Sequence, residues 1–149
     1  MTHRMITATL ALAGFFVALY LSLWKLGVVG SLACGTGGCE YVQTSSYAVV
    51  LGVPVAFYGV AGYLAILGVS LAGLQGSWAD RREPTLALLA LSGAGVAFSA
   101  YLTYIEAAVL HAWCRWCLVS AGIIAAIFVA SLVGIRKAKG AGEFRSERQ

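Results

Sequence analysis

The sequence predicts an all-α membrane protein: a four-transmembrane-helix bundle with a long extracytoplasmic loop between helices 1 and 2. Three observations carry this. Hydrophobic residues make up 60% of the chain and charged residues only 11%, where a soluble domain carries about a quarter charged residues. The mean hydropathy is +0.86, so there is too little polar surface to coat a globule in water. Four apolar stretches each reach the length of about 20 residues that a helix needs to cross a bilayer. Helices are required because open strands cannot satisfy their backbone groups in lipid.

The spans fall at about residues 6–26, 53–74, 86–110 and 114–135. With 149 residues the chain is read as one domain, residues 1–135, followed by a basic tail, residues 136–149. The first stretch is longer than the apolar core of a cleaved signal peptide and ends without a small-residue cleavage site. Ser31-Leu32-Ala33-Cys34 lies too far past it to read as a lipoprotein site. Residues 27–52 form a long loop rich in Gly, Ser and Thr. Residues 75–84 form a short polar loop whose Pro84 suits the first turn of the third helix. The connection at 111–113 is very short. Gly93/Ala97 and Gly95/Ser99 give small residues at i, i+4 spacing, which let helices approach closely.

Charge placement sets the orientation. Arg4, then Arg81 and Arg82, then Arg136, Lys137, Lys139, Arg145 and Arg148 fall on one side of a four-span path. Only Lys25 and Arg115 fall on the other. The excess of Lys and Arg marks the cytoplasmic side, so both termini and residues 75–84 are expected in the cytoplasm. The basic tail suits anionic lipid. It lacks the aromatic–basic interleaving of a nucleic-acid surface, so no nucleic-acid partner is expected.

The four cysteines then fall on the extracytoplasmic side, where disulfide chemistry belongs. Cys114-Arg-Trp-Cys117 opens the fourth helix, so its thiols share a face, and a helix N-terminus favours the thiolate. Arg115 adds to this if it turns toward the sulfurs. Cys34-Gly-Thr-Gly-Gly-Cys39 closes a very short loop, which gains little as a staple and suits a mobile carrier of electrons. A four-thiolate zinc site is the metal reading of the same residues, disfavoured in an oxidising compartment, and no metal is expected. Leu118 stands where c-type haem attachment requires His. The remaining alternatives are a non-catalytic bundle whose disulfides brace its outer loops and a redox protein running mainly in the reducing direction.

The order of these features is specific: Cys34 and Cys39 in the first loop, Ser45 after them, Tyr47-Ala48, Gly52-Val53-Pro54 opening the second helix, Tyr101-Leu102-Thr103-Tyr104-Ile105-Glu106, then Cys114-x-x-Cys117. It resembles the vitamin K epoxide reductase family in its bacterial form, over roughly residues 6–135. The resemblance implies a quinone, ubiquinone or menaquinone, beside Cys117. It implies a relay in which Cys34 and Cys39 pass electrons from a separate periplasmic thioredoxin-like (DsbA-like) protein to Cys114. Some bacterial members carry that thioredoxin-like domain fused after the bundle, and residues 136–149 leave no room for it. Ser45 is implied in setting the loop over the quinone. Ala121 and Val55 stand where the animal enzymes place a tyrosine and an asparagine on the ring, which argues against epoxide reduction.

Phe57, Tyr58, Phe98, Tyr101 and Tyr104 are candidates for an aromatic quinone pocket, set against the ordinary use of aromatics as packing and interface anchors. Trp78, Trp113 and Trp116 read as interface-belt residues. Glu106 is an acid at membrane depth and so a functional candidate, although its place near the outer interface lets it reach water. His111 reads as an interfacial histidine.

Overall fold

The computed structural model describes residues 2–35, 38–79 and 81–146; Arg148, one of the basic-tail residues, lies outside them. Helix α1 covers Thr2–Lys25, α2 Gly38–Thr44, α3 Val55–Ala72, α4 Gly76–Ala79, α5 Glu83–Ile105 and α6 Arg115–Ser146. A 3-10 turn, Ser46–Ala48, and two short strands, β1 Val49–Val50 and β2 Val53–Pro54, lie between α2 and α3. Four of these helices are long and apolar enough to cross a membrane: Thr2–Lys25, Val55–Ala72, Glu83–Leu110 and Arg115–Lys137. The chain is therefore an all-α membrane bundle.

Helix α1 packs on α3 and on α6, and α6 packs on α5, while α3 and α5 meet more loosely. The core between them holds Ala11, Ala18, Tyr63, Ile66, Leu88, Ile124 and Ile127. Close approach is set by small residues. A methyl group at Gly14 would overlap the Tyr63 ring, and one at Gly95 would press on Ile124. Lipid tails are as apolar as leucine, so such contacts, rather than hydrophobic burial, hold membrane helices together.

One end of the bundle is knotted around Arg4. Its guanidinium donates to the carbonyls of Gly73, Arg81 and Trp78 and to Thr85 Oγ1. One turn on, Thr7 Oγ1 meets Ser70 Oγ at 3.1 Å. These bonds fix the start of α1 against the loop between α3 and α5, so the chain start and that loop share one end.

The opposite end differs from the plain loop read in residues 27–52. Helix α2 forms there, and β1 and β2 pair antiparallel as a two-residue hairpin, Val49 opposite Pro54 and Val50 opposite Val53. Leu51 and Gly52 at its tip have φ of 52° and 81°, the left-handed pair that such a tight turn requires. Elements this short leave no periodicity to read. The polar tail also departs from expectation, because α6 runs unbroken to Ser146. Residues 136–146 are rich in Ala, Lys and Arg, which propagate a helix already nucleated upstream.

Candidate redox site

All four cysteines lie in one buried cluster at the α2 end of the bundle, with Leu21, Leu32, Val42 and Ala56. Cys34 and Cys39 are bonded to each other, and Cys114 and Cys117 are free thiols. This pairing does not assemble the four-thiolate set considered from the sequence.

The loop read as mobile is held at several points. Lys25 Nζ donates to the Gln43 carbonyl at 2.7 Å. Glu40 accepts from the Leu32 N–H at 3.1 Å, and Tyr20 Oη accepts from the Ala33 N–H at 3.0 Å. Cys34 is 1% exposed and Cys39 fully buried. Gly38 permits this docking, since a Cβ there would stand 2.7 Å from the Trp113 carbonyl oxygen. The cystine is thus brought to the backbone just before Cys114.

Cys114 immediately precedes α6 and acts as its N-cap. Its sulfur accepts from the Cys117 N–H at 3.3 Å, and its carbonyl accepts from Leu118 N at 3.0 Å. The Cys117 thiol stands 2.6 Å from Cys114 Sγ. That hydrogen bond is the main cause holding the Cys114 thiol below its ordinary range, against the opposing effect of burial. The sequence argument from the helix N-terminus is therefore specific to Cys114, whose sulfur occupies the cap. Arg115 is exposed, as is His111.

Two further side chains converge on Cys117. Gln43, 5% exposed, donates its amide to Cys117 Sγ at 3.4 Å. Glu106, expected to reach water, is 3% exposed instead. Its carboxylate accepts from the Cys114 N–H at 3.0 Å and lies within 4.8 Å of the Cys117 sulfur. Glu106 continues the α5 stripe of Leu91, Gly95, Phe98 and Leu102 toward the cavity. A π turn, Glu106–Leu110, begins there, which adds a residue per turn and so rotates the side chains that follow off the stripes of a regular α-helix. Left-handed His111 then turns the chain back, with Ala112 N donating to the Glu106 carbonyl at 3.1 Å.

Below Cys117 a cavity of about 150 Å³ opens between α3 and α5. Gln43, Glu106 and Cys117 form its polar end, and Tyr58, Gly62, Phe98, Leu102 and Ile124 are among its walls. Mid-bundle, Tyr63 Oη donates to the Ser120 carbonyl at 2.8 Å, and both residues line the cavity. A smaller cavity of about 30 Å³ adjoins it, walled by Ser45, Tyr47 and Val55 and sharing Gln43, Glu106 and Cys117.

Of the expected aromatic residues, Tyr58 and Phe98 stand in the wall, their rings 6.4 Å apart. Phe57, Tyr101, Tyr104 and Ala121 do not. Phe57 points away from the stripe of Val55, Gly59, Gly62 and Ile66 that faces the cavity. Tyr101 and Tyr104 are 54% and 64% exposed, turned off the stripe of Leu91, Gly95, Phe98 and Leu102. Ala121 yields its place to Ser120 and Ile124 on the neighbouring stripe. Ser45 Oγ donates to the Val42 carbonyl at 2.7 Å and so closes the end of α2. Trp78 and Trp113 are exposed, whereas Trp116 turns inward onto Tyr20, centroids 5.2 Å apart. Sequence reasoning passed over Gln43 and Tyr63; a lone amide in a loop and one more aromatic in a membrane helix give no signal without the fold.

The family model described as the Vitamin K epoxide reductase family matches residues 5–132, a stretch holding all four cysteines, Gln43 and Glu106. A multi-pass membrane protein with a buried cystine beside a thiol pair, whose sequence fits that family along most of its length, has a membrane redox function: this chain belongs to the vitamin K epoxide reductase family.

Proposed function

We propose that the protein is a quinone-dependent thiol–disulfide oxidoreductase that supports disulfide formation in secreted proteins. Electrons pass from a periplasmic thioredoxin-like protein to Cys34/Cys39, then to Cys114/Cys117, then to a membrane quinone. The observation that carries this reading is the position of Cys117. Its sulfur is 2.6 Å from Cys114 on one side and lines the cavity on the other, so the pair joins the cystine cluster to the ligand space.

The cavity suits a quinone. Its walls are largely apolar, as an isoprenoid-substituted ring requires, and its polar end carries the Gln43 amide, Glu106 and Cys117 where ring oxygens can be met. When bound, the quinone supplies an acceptor for two electrons and two protons. The chain's own residues do the rest. A reduced loop thiol attacks Cys114 of the oxidised Cys114–Cys117 pair, forming a mixed disulfide and freeing Cys117. The second loop thiol then displaces Cys114, whose cap position and hydrogen bond from Cys117 favour it as the leaving thiolate. Gln43 donates to the Cys117 sulfur and so stabilises negative charge there. Tight enclosure keeps competing thiols out.

The placement of Arg81, Arg82, Arg136 and Lys137 against Lys25 and Arg115 supports a bacterial inner membrane with both termini cytoplasmic and the cysteines extracytoplasmic. Trapping tests the relay. Single variants Cys34→Ser and Cys39→Ser are purified with a thioredoxin-like protein, and mixed disulfides are resolved by mass. Capture at a loop cysteine is expected, together with loss of quinone-dependent thiol oxidation in Cys114→Ala and Cys117→Ala. Capture at Cys117 alone, or oxidation persisting in both alanine variants, would overturn the order of transfer.

A further inference from the structure

Glu106 is an acid that the cysteine relay leaves without a task. It is 3% exposed within a membrane-spanning segment, where a carboxylate is costly and tends to mark function. No Lys or Arg pairs with it among the described residues, whose one ion pair is Arg81–Glu83. Its carboxylate contacts are with the redox centre. It accepts from the Cys114 N–H, and its oxygen lies within 4.8 Å of both thiol sulfurs. It also forms part of the wall of both cavities. A π turn begins at Glu106, a local irregularity that frequently accompanies functional sites.

We propose that Glu106 is a catalytic residue that takes the thiol proton from Cys117 Sγ as the sulfur gives up its electrons, and hands it to an oxygen of the quinone in the adjoining cavity. This rests on the quinone reading of the cavity. The overall step balances. The S–H bonds of Cys114 and Cys117 break, one S–S bond forms between them, two electrons pass to the quinone, and two O–H bonds form on it. Glu106 carries one of the two protons and ends in the state in which it began.

The test separates a proton carrier from a structural tie, because Glu106→Gln keeps a carbonyl oxygen for the Cys114 N–H but holds no charge and no transferable proton. Both assays use full-length protein in detergent, in a Cys34→Ser/Cys39→Ser background reduced with dithiothreitol. The first is labelling of Cys117 by iodoacetamide at neutral pH, read by peptide mass. A carboxylate beside a thiol disfavours a second negative charge, so its removal speeds labelling by roughly tenfold. The second is single-turnover reduction of a short-chain quinone, which slows by about 100-fold when the proton carrier is lost. Loss of structure would also expose the thiol and slow delivery, and Glu106→Asp separates the two by restoring both the charge and the transferable proton.

Glu106→Asp keeps the charge, labels at the wild-type rate and recovers most of the quinone reduction. Equal labelling of Glu106→Gln and wild type overturns the proposal, as does a Glu106→Asp protein as slow as Glu106→Gln. A wild-type protein that fails to reduce the quinone overturns the functional reading and the delivery step with it. A wild type that reduces it no faster than Glu106→Gln overturns only the role of Glu106.

Discussion

At the scale of single residues, the two thiols of Cys114-x-x-Cys117 are unequal, and the inequality can be measured. In a protein with Cys34 and Cys39 replaced by Ser, Cys117→Ser leaves a hydroxyl that can still donate to Cys114 Sγ, whereas Cys117→Ala leaves nothing. The hydrogen bond is the largest cause of the lowered Cys114 titration. A donor to sulfur stabilises the charged form, so its loss moves the titration up. Thiolate absorbance is expected to appear at lower pH in Cys117→Ser than in Cys117→Ala; coincident curves would remove the special status of Cys114. The cysteine spacing and the helix start made the pair legible in the sequence. Which sulfur caps the helix was not, because it depends on the turn made by 111–113. Glu106 was visible as an acid at membrane depth, but its burial depends on the return of the chain that seats the Cys114 N–H against its carboxylate, which no residue pattern announces.

At the scale of elements, the site is made by helix faces, and these were more legible in the sequence than a count of aromatics suggests. At 3.6 residues per turn, Leu91, Gly95, Phe98, Leu102 and Glu106 fall along one stripe of α5, with Tyr101 roughly a third of a turn away and Tyr104 on the far side. Grouping aromatics by composition rather than by face brought in Tyr101, Tyr104 and Phe57. The same stripe logic on α3 selects Gly62, whose missing side chain leaves open space: a Cβ there would meet nothing within 4 Å. Gly62→Leu is therefore expected to fold, to fill the cavity and to displace a bound ring by about an ångström or more, lowering quinone reduction roughly 100-fold. Disulfide exchange between the loop pair and Cys114/Cys117, followed by quenched-flow alkylation, should stay at the wild-type rate. A parallel loss of both would mean that the variant damages the bundle rather than the cavity.

At the scale of the whole molecule, the bundle is tied at both ends by polar bonds and left loose between α3 and α5. The four spans were legible from hydropathy alone. The knot at Arg4 was not, because an arginine near a chain start reads only as a topological charge. Arg4→Ala would leave the carbonyls of Gly73 and Arg81 and the Thr85 hydroxyl without their donor. Hydrogen bonds to a charged group contribute about 1.5–3 kcal/mol, so the midpoint of thermal unfolding in detergent is expected to fall by ~5 °C or more. An unchanged midpoint would show that the knot contributes no net stability. The redox centre lies at the other end of α1, so residual activity per folded molecule should be retained.

The buried cystine also determines how the protein is wired. A thiol must approach a disulfide along the S–S axis to displace one sulfur, and with Cys34 and Cys39 enclosed in the α2 cluster no such approach exists from outside. In this conformation the cystine is shut away from soluble thiols. For a soluble thiol to reach the cystine, α2 must first lift off the Trp113 backbone on which Gly38 rests.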